Sequence, residues 1–338
     1  MEIILEYCSD FVFRIIFEGR ENYRVIDCRQ NVMRARLAGK LRFHSDLWPA
    51  IGDWITGRPQ PGGWILIEEV IERKSVLLRK DPGQNSSQVL AANVDTLFVV
   101  TSANQDLSLN RLDRYVTLAL SGGVRPVIVV NKIELASEPH SLLDKVASRF
   151  PNVDVHGVSA LEGWNLDGLD QYASPGQTVA FIGSSGVGKS SLTNAMLGHE
   201  SMNTREIRTS DGRGRHTTTH RELHVTRIGA MIIDTPGLRQ VGLSEDMDLD
   251  VAFSDIEEFA RRCKFTDCQH QSEPGCTIQV ALEEGALDAD RWQNYLKLQK
   301  ELAFERRKSS KALQSEERKR WAKIHVANRS RMKAWGKG

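Results

Sequence analysis

Residues 183–190, Gly183-Ser184-Ser185-Gly186-Val187-Gly188-Lys189-Ser190, with Ser191 following, decide how this chain folds. The apolar run Val179–Ile182 enters the stretch and a helix-compatible sequence leaves it, which places the glycines on a strand-to-helix turn. There the backbone N–H groups can converge on phosphate oxygens, and the helix N-terminus adds positive potential. Lys189 is then positioned to reach β- and γ-phosphates, and Ser190 to ligate Mg²⁺. A Gly-rich turn of purely structural use is the alternative, and the completeness of the motif in this context disfavours it.

Working outward, Ile232-Ile233-Asp234-Thr235-Pro236-Gly237 is an apolar strand followed by Asp-x-x-Gly. In this pattern Asp234 holds Mg²⁺ through water and the Gly237 N–H senses a γ-phosphate. Between the two motifs lies Gly212-Arg213-Gly214-Arg215-His216-Thr217-Thr218-Thr219. A glycine-rich loop ending in threonines can bring a hydroxyl onto Mg²⁺ when a triphosphate is bound. Of its residues, Thr218 and Thr219 are candidate metal-side hydroxyls and His216 a candidate for the attacking water. The other reading of His216 is a contact to RNA or solvent.

Base identity is read elsewhere. Val127–Val130 runs into Asn131-Lys132-Ile133-Glu134, similar to the Asn-Lys-x-Asp signature that sets an acidic side chain against guanine N1–H and its amine. Val158-Ser159-Ala160 is similar to the companion loop whose backbone N–H meets guanine O6. Each tetrapeptide alone is a weak signal; their place at the ends of successive strands makes them a pair.

The order of these motifs is unusual. Residues 131–134 and 159–160 precede 183–190, 212–219 and 234–237, whereas an ordinary GTPase carries the phosphate loop first. On this order, and on residues 183–191 with 212–218 (GRGRHTT), the chain resembles the circularly permuted GTPases, and in particular the ribosome small-subunit-dependent GTPase A family, across essentially its full length. The resemblance implies GTP hydrolysis on the small (30S) ribosomal subunit during late maturation, with 16S rRNA and subunit proteins as partners. Two positions depart from the GTPase pattern. Glu134 stands where Asp is usual, one methylene longer. Leu238 stands where many GTPases carry a water-orienting Gln, so intrinsic hydrolysis is expected to be slow. A non-catalytic RNA-binding protein that senses nucleotide, and an ATP-dependent enzyme, remain the competing readings; Asn131-Lys132 disfavours the second.

Three of the five cysteines cluster as Cys263-x4-Cys268-x-His270-x5-Cys276. Three thiolates and an imidazole suit a closed tetrahedral Zn²⁺ site with no open position, hence a structural ion. A coincidental group of buried cysteines is the alternative. Local clustering and an odd count favour metal ligation over a disulfide framework, and Cys8 and Cys28 are expected to be small packing residues.

Composition bounds the rest. With 338 residues, 40% hydrophobic and 26% charged, the chain reads as globular and multi-domain. No apolar run reaches the ~20 residues of a membrane span, and the opening MEIILEYCSDF is not of the secretory type. A cytoplasmic monomer without membrane contact is the expectation. The formal charge of +1 hides an asymmetry: residues 291–338 hold 15 Lys+Arg against 4 Asp+Glu, a net +11 that leaves −10 on the other 290 residues. Such a tail points to an acidic polymer.

The expected organisation has four parts. Residues 1–85 read as short strands (Phe11–Glu18, Tyr23–Cys28, Val32–Leu37, Asp53–Thr56, Trp64–Val70) that would close a small all-β barrel, the OB-fold among the options. Arg29, Arg34, Arg36, Lys40 and Arg42 would give it a basic face, or simply a solvated one. Asp81–Gln88 is a linker. Residues 89–243 form the doubly wound α/β nucleotide domain, 244–290 the metal-binding, mainly helical domain, and 291–338 a basic helical tail.

Overall fold

Strand β1, Val12–Glu18, is buried on both of its faces, because it serves two cores at once. Phe13 and Ile15 point into a barrel core with Tyr23, Val25, Ile55, Ile65 and Ile67. Ile16, on the opposite face, packs into the core of the nucleotide domain. The computed structural model describes residues 10–19, 22–44, 48–80, 87–104, 106–198, 221–234, 242, 244 and 247–309.

The barrel comprises β1, β2 (Tyr23–Ile26), β3 (Val32–Leu37), the short helix α1 (Gly39–His44), β4 (Trp54–Gln60) and β5 (Trp64–Val70). β1 pairs antiparallel with both β2 and β4, and β3 pairs parallel with β5, so the five strands close on themselves. This is the OB-type solution to exposed edges. Arg34 and Arg36 are exposed, as the alternation in β3 requires, Lys40 is exposed at the start of α1, and Arg29 is exposed beside Asp10 at 3.5 Å. Cys28 departs from expectation: it is half-buried and disulfide-bonded. Cys8 lies outside the described residues.

Of the expected linker 81–88, residues 81–86 lie outside the described residues, while Ser87 and Gln88 already belong to a strand. β6 (Val76–Lys80) and β7 (Ser87–Ala92) pair antiparallel. The chain then enters β8 (Thr96–Ser102), helix α2 (Leu109–Ser121), β9 (Arg125–Asn131), helix α3 (Pro139–Arg149), β10 (Asp154–Gly157), β11 (Thr178–Gly183), helix α4 (Lys189–Leu197), β12 (Glu222–Val225) and β13 (Met231–Asp234). The strand order β10-β9-β8-β11-β13 is parallel throughout, and every residue of β8 and β11 is buried, as both faces are covered. Antiparallel β12 borders β13 and meets β1 at Phe17↔Glu222, so the barrel extends the same hydrogen-bonded sheet.

The junction is close and polar. Gly52 takes φ +85°, and a Cβ there would lie 2.2 Å from the Ala92 carbonyl oxygen. Buried Arg14 donates to the Asn93 carbonyl at 2.9 Å and lies over the Trp54 ring at 4.9 Å. Burial lowers its pKa to about 10, against the pull of Asp95 and Asp53.

Helices α5 (Ser254–Ala260), α6 (Thr277–Glu283) and α7 (Ala289–Ser309) complete the described chain. Phe253, Ile256, Ile278, Trp292, Tyr295, Leu298 and Leu302 share one core with Leu112, Tyr115 and Val116 of α2. The first turns of α7 are therefore core, although the charge count starts the basic tail at 291; the rest of the tail, from 310, lies outside the described residues. No described helix is long and apolar enough to cross a membrane.

Candidate nucleotide site and metal centre

The motif loops converge at one edge of the sheet. Gly183 ends β11, Asp234 ends β13, Asn131 ends β9, and Ser159-Ala160 follow β10. These are the carboxyl ends of parallel strands, where doubly wound sheets bind ligands.

Asn131, 2% exposed, ties the loops together. Its Nδ2 donates to the Val187 carbonyl at 2.8 Å, and its Oδ1 accepts the Ala160 N–H at 3.0 Å. A single amide thus joins the base-reading segment, its companion loop and the phosphate loop. The contact needs glycine at 188, where φ is +97° and a Cβ would lie 2.1 Å from Asn131 Nδ2. Lys132, itself at φ +58°, donates from Nζ to the Gly186 carbonyl at 2.8 Å. Ile133 is buried and its N–H binds the Val158 carbonyl at 3.1 Å, which leaves Glu134 exposed on the 3-10 turn Ile133–Leu135. Ser159 is fully buried and its Oγ accepts the Glu162 N–H at 3.2 Å, turning the loop.

Within the phosphate loop, Val187 is buried and anchors the turn to the core, while Ser185 and Gly186 are exposed. Lys189 Nζ donates to the carbonyls of Gly183 (2.9 Å) and Ser184 (2.6 Å), so the ammonium lies inside the loop. Ser190 and Ser191, both half-buried, lie in the first turn of α4. Asp234 is buried at the end of β13, the strand next to β11 in the sheet. His216, Thr218, Thr219 and Gly237 lie outside the described residues.

Sequence reasoning missed Arg111. Its Nη1 donates to Ser184 Oγ in the phosphate loop and to Asp106 Oδ1 at 2.8 Å. A signal was present: Arg111 occupies the first turn of α2, where a cation opposes the helix dipole, and no acidic residue stands in that turn.

The four metal candidates do come together: one ligand atom each from Cys263, Cys268, His270 and Cys276 lie within 4.8 Å of one another. His270 Nδ1 is 3.5 Å from the sulfurs of both Cys263 and Cys276. Zinc bonds of ~2.3 Å give a tetrahedron with edges of about 3.8 Å, so the set fits such an ion with a small contraction. The scaffold is local. Cys276 immediately precedes α6, His270 takes φ +58°, and Gln279 Nε2 donates to the His270 carbonyl at 2.6 Å. Glu273 accepts the N–H groups of Gln269, Gln271 and Ser272, which lowers its pKa to about 2 and cinches the ligand loop.

A doubly wound sheet with a phosphate loop, a base-reading Asn-Lys segment that precedes it in the chain, a leading barrel and a trailing Cys₃His module define a circularly permuted GTPase. The comparisons agree. The model of the RsgA GTPase family matches residues 70–244. The Small ribosomal subunit biogenesis GTPase RsgA of Methanosarcina acetivorans is 40% identical over 309 residues, covering 90% of this chain and 84% of that protein. RsgA 2 of Vibrio vulnificus is 43% identical over 251 residues, or 72% of each. Among solved structures, YjeQ from Thermotoga maritima superposes with TM-score 0.67 at 26% identity, over 87% of this chain and 98% of that one. YloQ, described as a circularly permuted GTPase, gives 0.63 at 25%, over 88% and 96%. The chain belongs to the RsgA GTPase family and is a GTP hydrolase.

Proposed function

We propose that this GTPase works on the small ribosomal subunit, hydrolysing GTP to GDP and phosphate during late subunit maturation. The observation that carries the reading is the clamp at Asn131, which joins base-reading and phosphate-binding loops into one site. The relatives' names, small ribosomal subunit biogenesis GTPases, supply the partner.

Asn131, Lys132 and Glu134 would read guanine, with the Ser159-Ala160 loop against its O6 and the Ala160 N–H shared between that oxygen and Asn131 Oδ1. The loop 183–191 would cradle the phosphates, with Lys189 against the β- and γ-oxygens. Ser190 and Asp234, joined by Thr218 or Thr219, would hold Mg²⁺, which neutralises charge developing on the transferred phosphoryl group. Cys263, Cys268, His270 and Cys276 would hold one structural Zn²⁺ that folds a segment poor in core of its own. The exposed Arg34, Arg36 and Lys40 of the barrel, the metal module and the basic residues beyond 309 are the surfaces offered to 16S rRNA. A cytoplasmic monomer is consistent with this work.

The test is co-sedimentation with purified 30S and 50S subunits in the presence of GDP or a non-hydrolysable GTP analogue. Selective, analogue-dependent pelleting with 30S is expected. Removing residues 310–338 should weaken it and flatten its salt dependence by about 0.7–0.9 in log–log slope for each phosphate that is no longer neutralised. Equal binding to both subunits in both nucleotide states would overturn the proposal.

A further inference from the structure

Arg111 has no part in the motifs that define the site, yet it touches the phosphate loop. Its guanidinium donates to the hydroxyl of Ser184, the residue directly after Gly183, while Lys189 holds the carbonyl of the same Ser184. Ser184 is therefore gripped from both ends, by side chains from two different helices. Asp106 fixes the guanidinium at 2.8 Å, and Asp106 is placed in turn by its N–H on Asn104 Oδ1, an oxygen that also accepts Ser102 Oγ–H at the end of β8.

The helix that delivers Arg111 is itself held fast. Two residues on, buried Asp113 accepts Arg149, Arg291 and Asn294, and Arg114 makes a bidentate pair with Glu301. A cation in the first turn of a helix is disfavoured by the dipole. Asp106 offsets that cost, and the anionic phosphates of a nucleotide on the adjoining loop would offset it further. A planar guanidinium on a rigid helix also loses little freedom when its bonds form.

From this we infer that Arg111 is a positioning residue for the nucleotide: acting through Ser184, it holds the entrance of the phosphate loop in its phosphate-binding shape. The inference rests on guanine-nucleotide binding at residues 183–191. Loop shape serves diphosphate and triphosphate alike, so the effect falls on binding more than on the chemical step.

The experiment measures the Kd for GDP and for a non-hydrolysable GTP analogue, steady-state kcat and KM, and nucleotide-free thermal unfolding, for the parent, Arg111→Ala, Arg111→Lys, Ser184→Ala and the Arg111→Ala/Ser184→Ala double variant. Arg111→Ala is expected to raise both Kd values and KM at least about fivefold, roughly 1 kcal/mol, with a smaller change in kcat. Ser184→Ala should reproduce most of this, the double variant should add little, and Arg111→Lys should recover part. A purely structural loss would lower the active fraction, and so the apparent kcat, at unchanged KM. Unchanged Kd and KM in Arg111→Ala, or fully additive single effects, would overturn the inference while leaving the nucleotide site intact. A parent that binds no guanine nucleotide would overturn both.

Discussion

The carboxylate of Asp113 accepts Arg291 Nη1 at 2.8 Å and Arg149 Nη2 at 2.7 Å, joining the nucleotide domain to the C-terminal helices across 178 residues of chain. Asp113 is 1% exposed, and the two arginine side chains are 6% and 3% exposed. Removing the anion leaves two guanidinium groups short of a partner in a dry interface. Breaking such a pair costs about 3–5 kcal/mol, and Arg291 keeps Asp255 at 2.7 Å. Asp113→Ala is therefore expected near the lower end, about 3 kcal/mol, measured by chemical denaturation. An unchanged midpoint would show that the cluster contributes nothing net.

This cluster also marks the limit of what the sequence discloses. Buried parallel strands such as β8 and β11 are legible because both faces are apolar, and the phosphate loop because its glycines and Lys189 have no other common use. The Cys₃His set is legible from spacing alone. Asp113, Arg149 and Arg291 carry no such mark: each reads as a surface charge until the fold removes water from all three. The same blindness hid Trp292, Tyr295, Leu298 and Leu302 within a segment dominated by its basic count. The strand at Ser87–Ala92 was hidden in the same way, because its polar start, Ser87-Gln88, shares the composition of the stretch before it; only its pairing with Val76–Lys80 marks it as a strand.

Base preference is the next expectation. Glu134 is exposed at the tip of the turn after β9, with room for its extra methylene. GDP should bind at least about tenfold more tightly than ADP, or 1.4 kcal/mol. Glu134→Asp should keep or sharpen the preference and Glu134→Ala erode it. Equal calorimetric affinities for the two diphosphates would refute the guanine assignment.

For the metal centre, elemental analysis should find one zinc per chain, absent from a Cys268→Ser/Cys276→Ser variant. Nucleotide binding should survive, because the ligands follow the last strand of the sheet in the chain. Buried Cys276 shares the core with α2, however, so the variant should unfold at lower temperature. Zinc content unaffected by the double substitution would remove these residues as ligands.

Glu18 at the barrel seam supplies a pH dependence. Its Oε2 is buried with no hydrogen-bond partner among the described residues. Burial raises its pKa above the ordinary carboxylate value, only partly countered by Arg221. The folded protein then binds the proton more tightly than the unfolded chain, so this group's contribution to stability falls as pH rises from the unfolded value through the folded one. Glu18→Gln should stabilise the protein at pH 7 by about 1 kcal/mol and flatten that part of the profile. A parent-like profile in the variant would locate the titration elsewhere.

Hydrolysis itself is the remaining question. Leu238 offers no side-chain amide to orient water, while Lys189 lies inside the phosphate loop and Asp234 is buried at the end of the neighbouring strand. The groups proposed to bind phosphate and metal are thus in place, and the group that would aim the attacking water must come from another side chain, from the partner, or from both. His216 is the candidate within the chain: it immediately precedes Thr217–Thr219 and would be carried toward the γ-phosphate as those threonines engage the metal. Hydrolysis should then be slow in the isolated protein and at least about a hundredfold faster with saturating small subunits, ~2.7 kcal/mol on the barrier. His216→Ala should lose most of that acceleration yet still bind GTP and the subunit. Single-turnover measurements with and without subunits decide the matter. A His216→Ala variant stimulated as strongly as the parent would exclude this residue from the chemistry, and full activity without subunits would overturn the partner-dependent model.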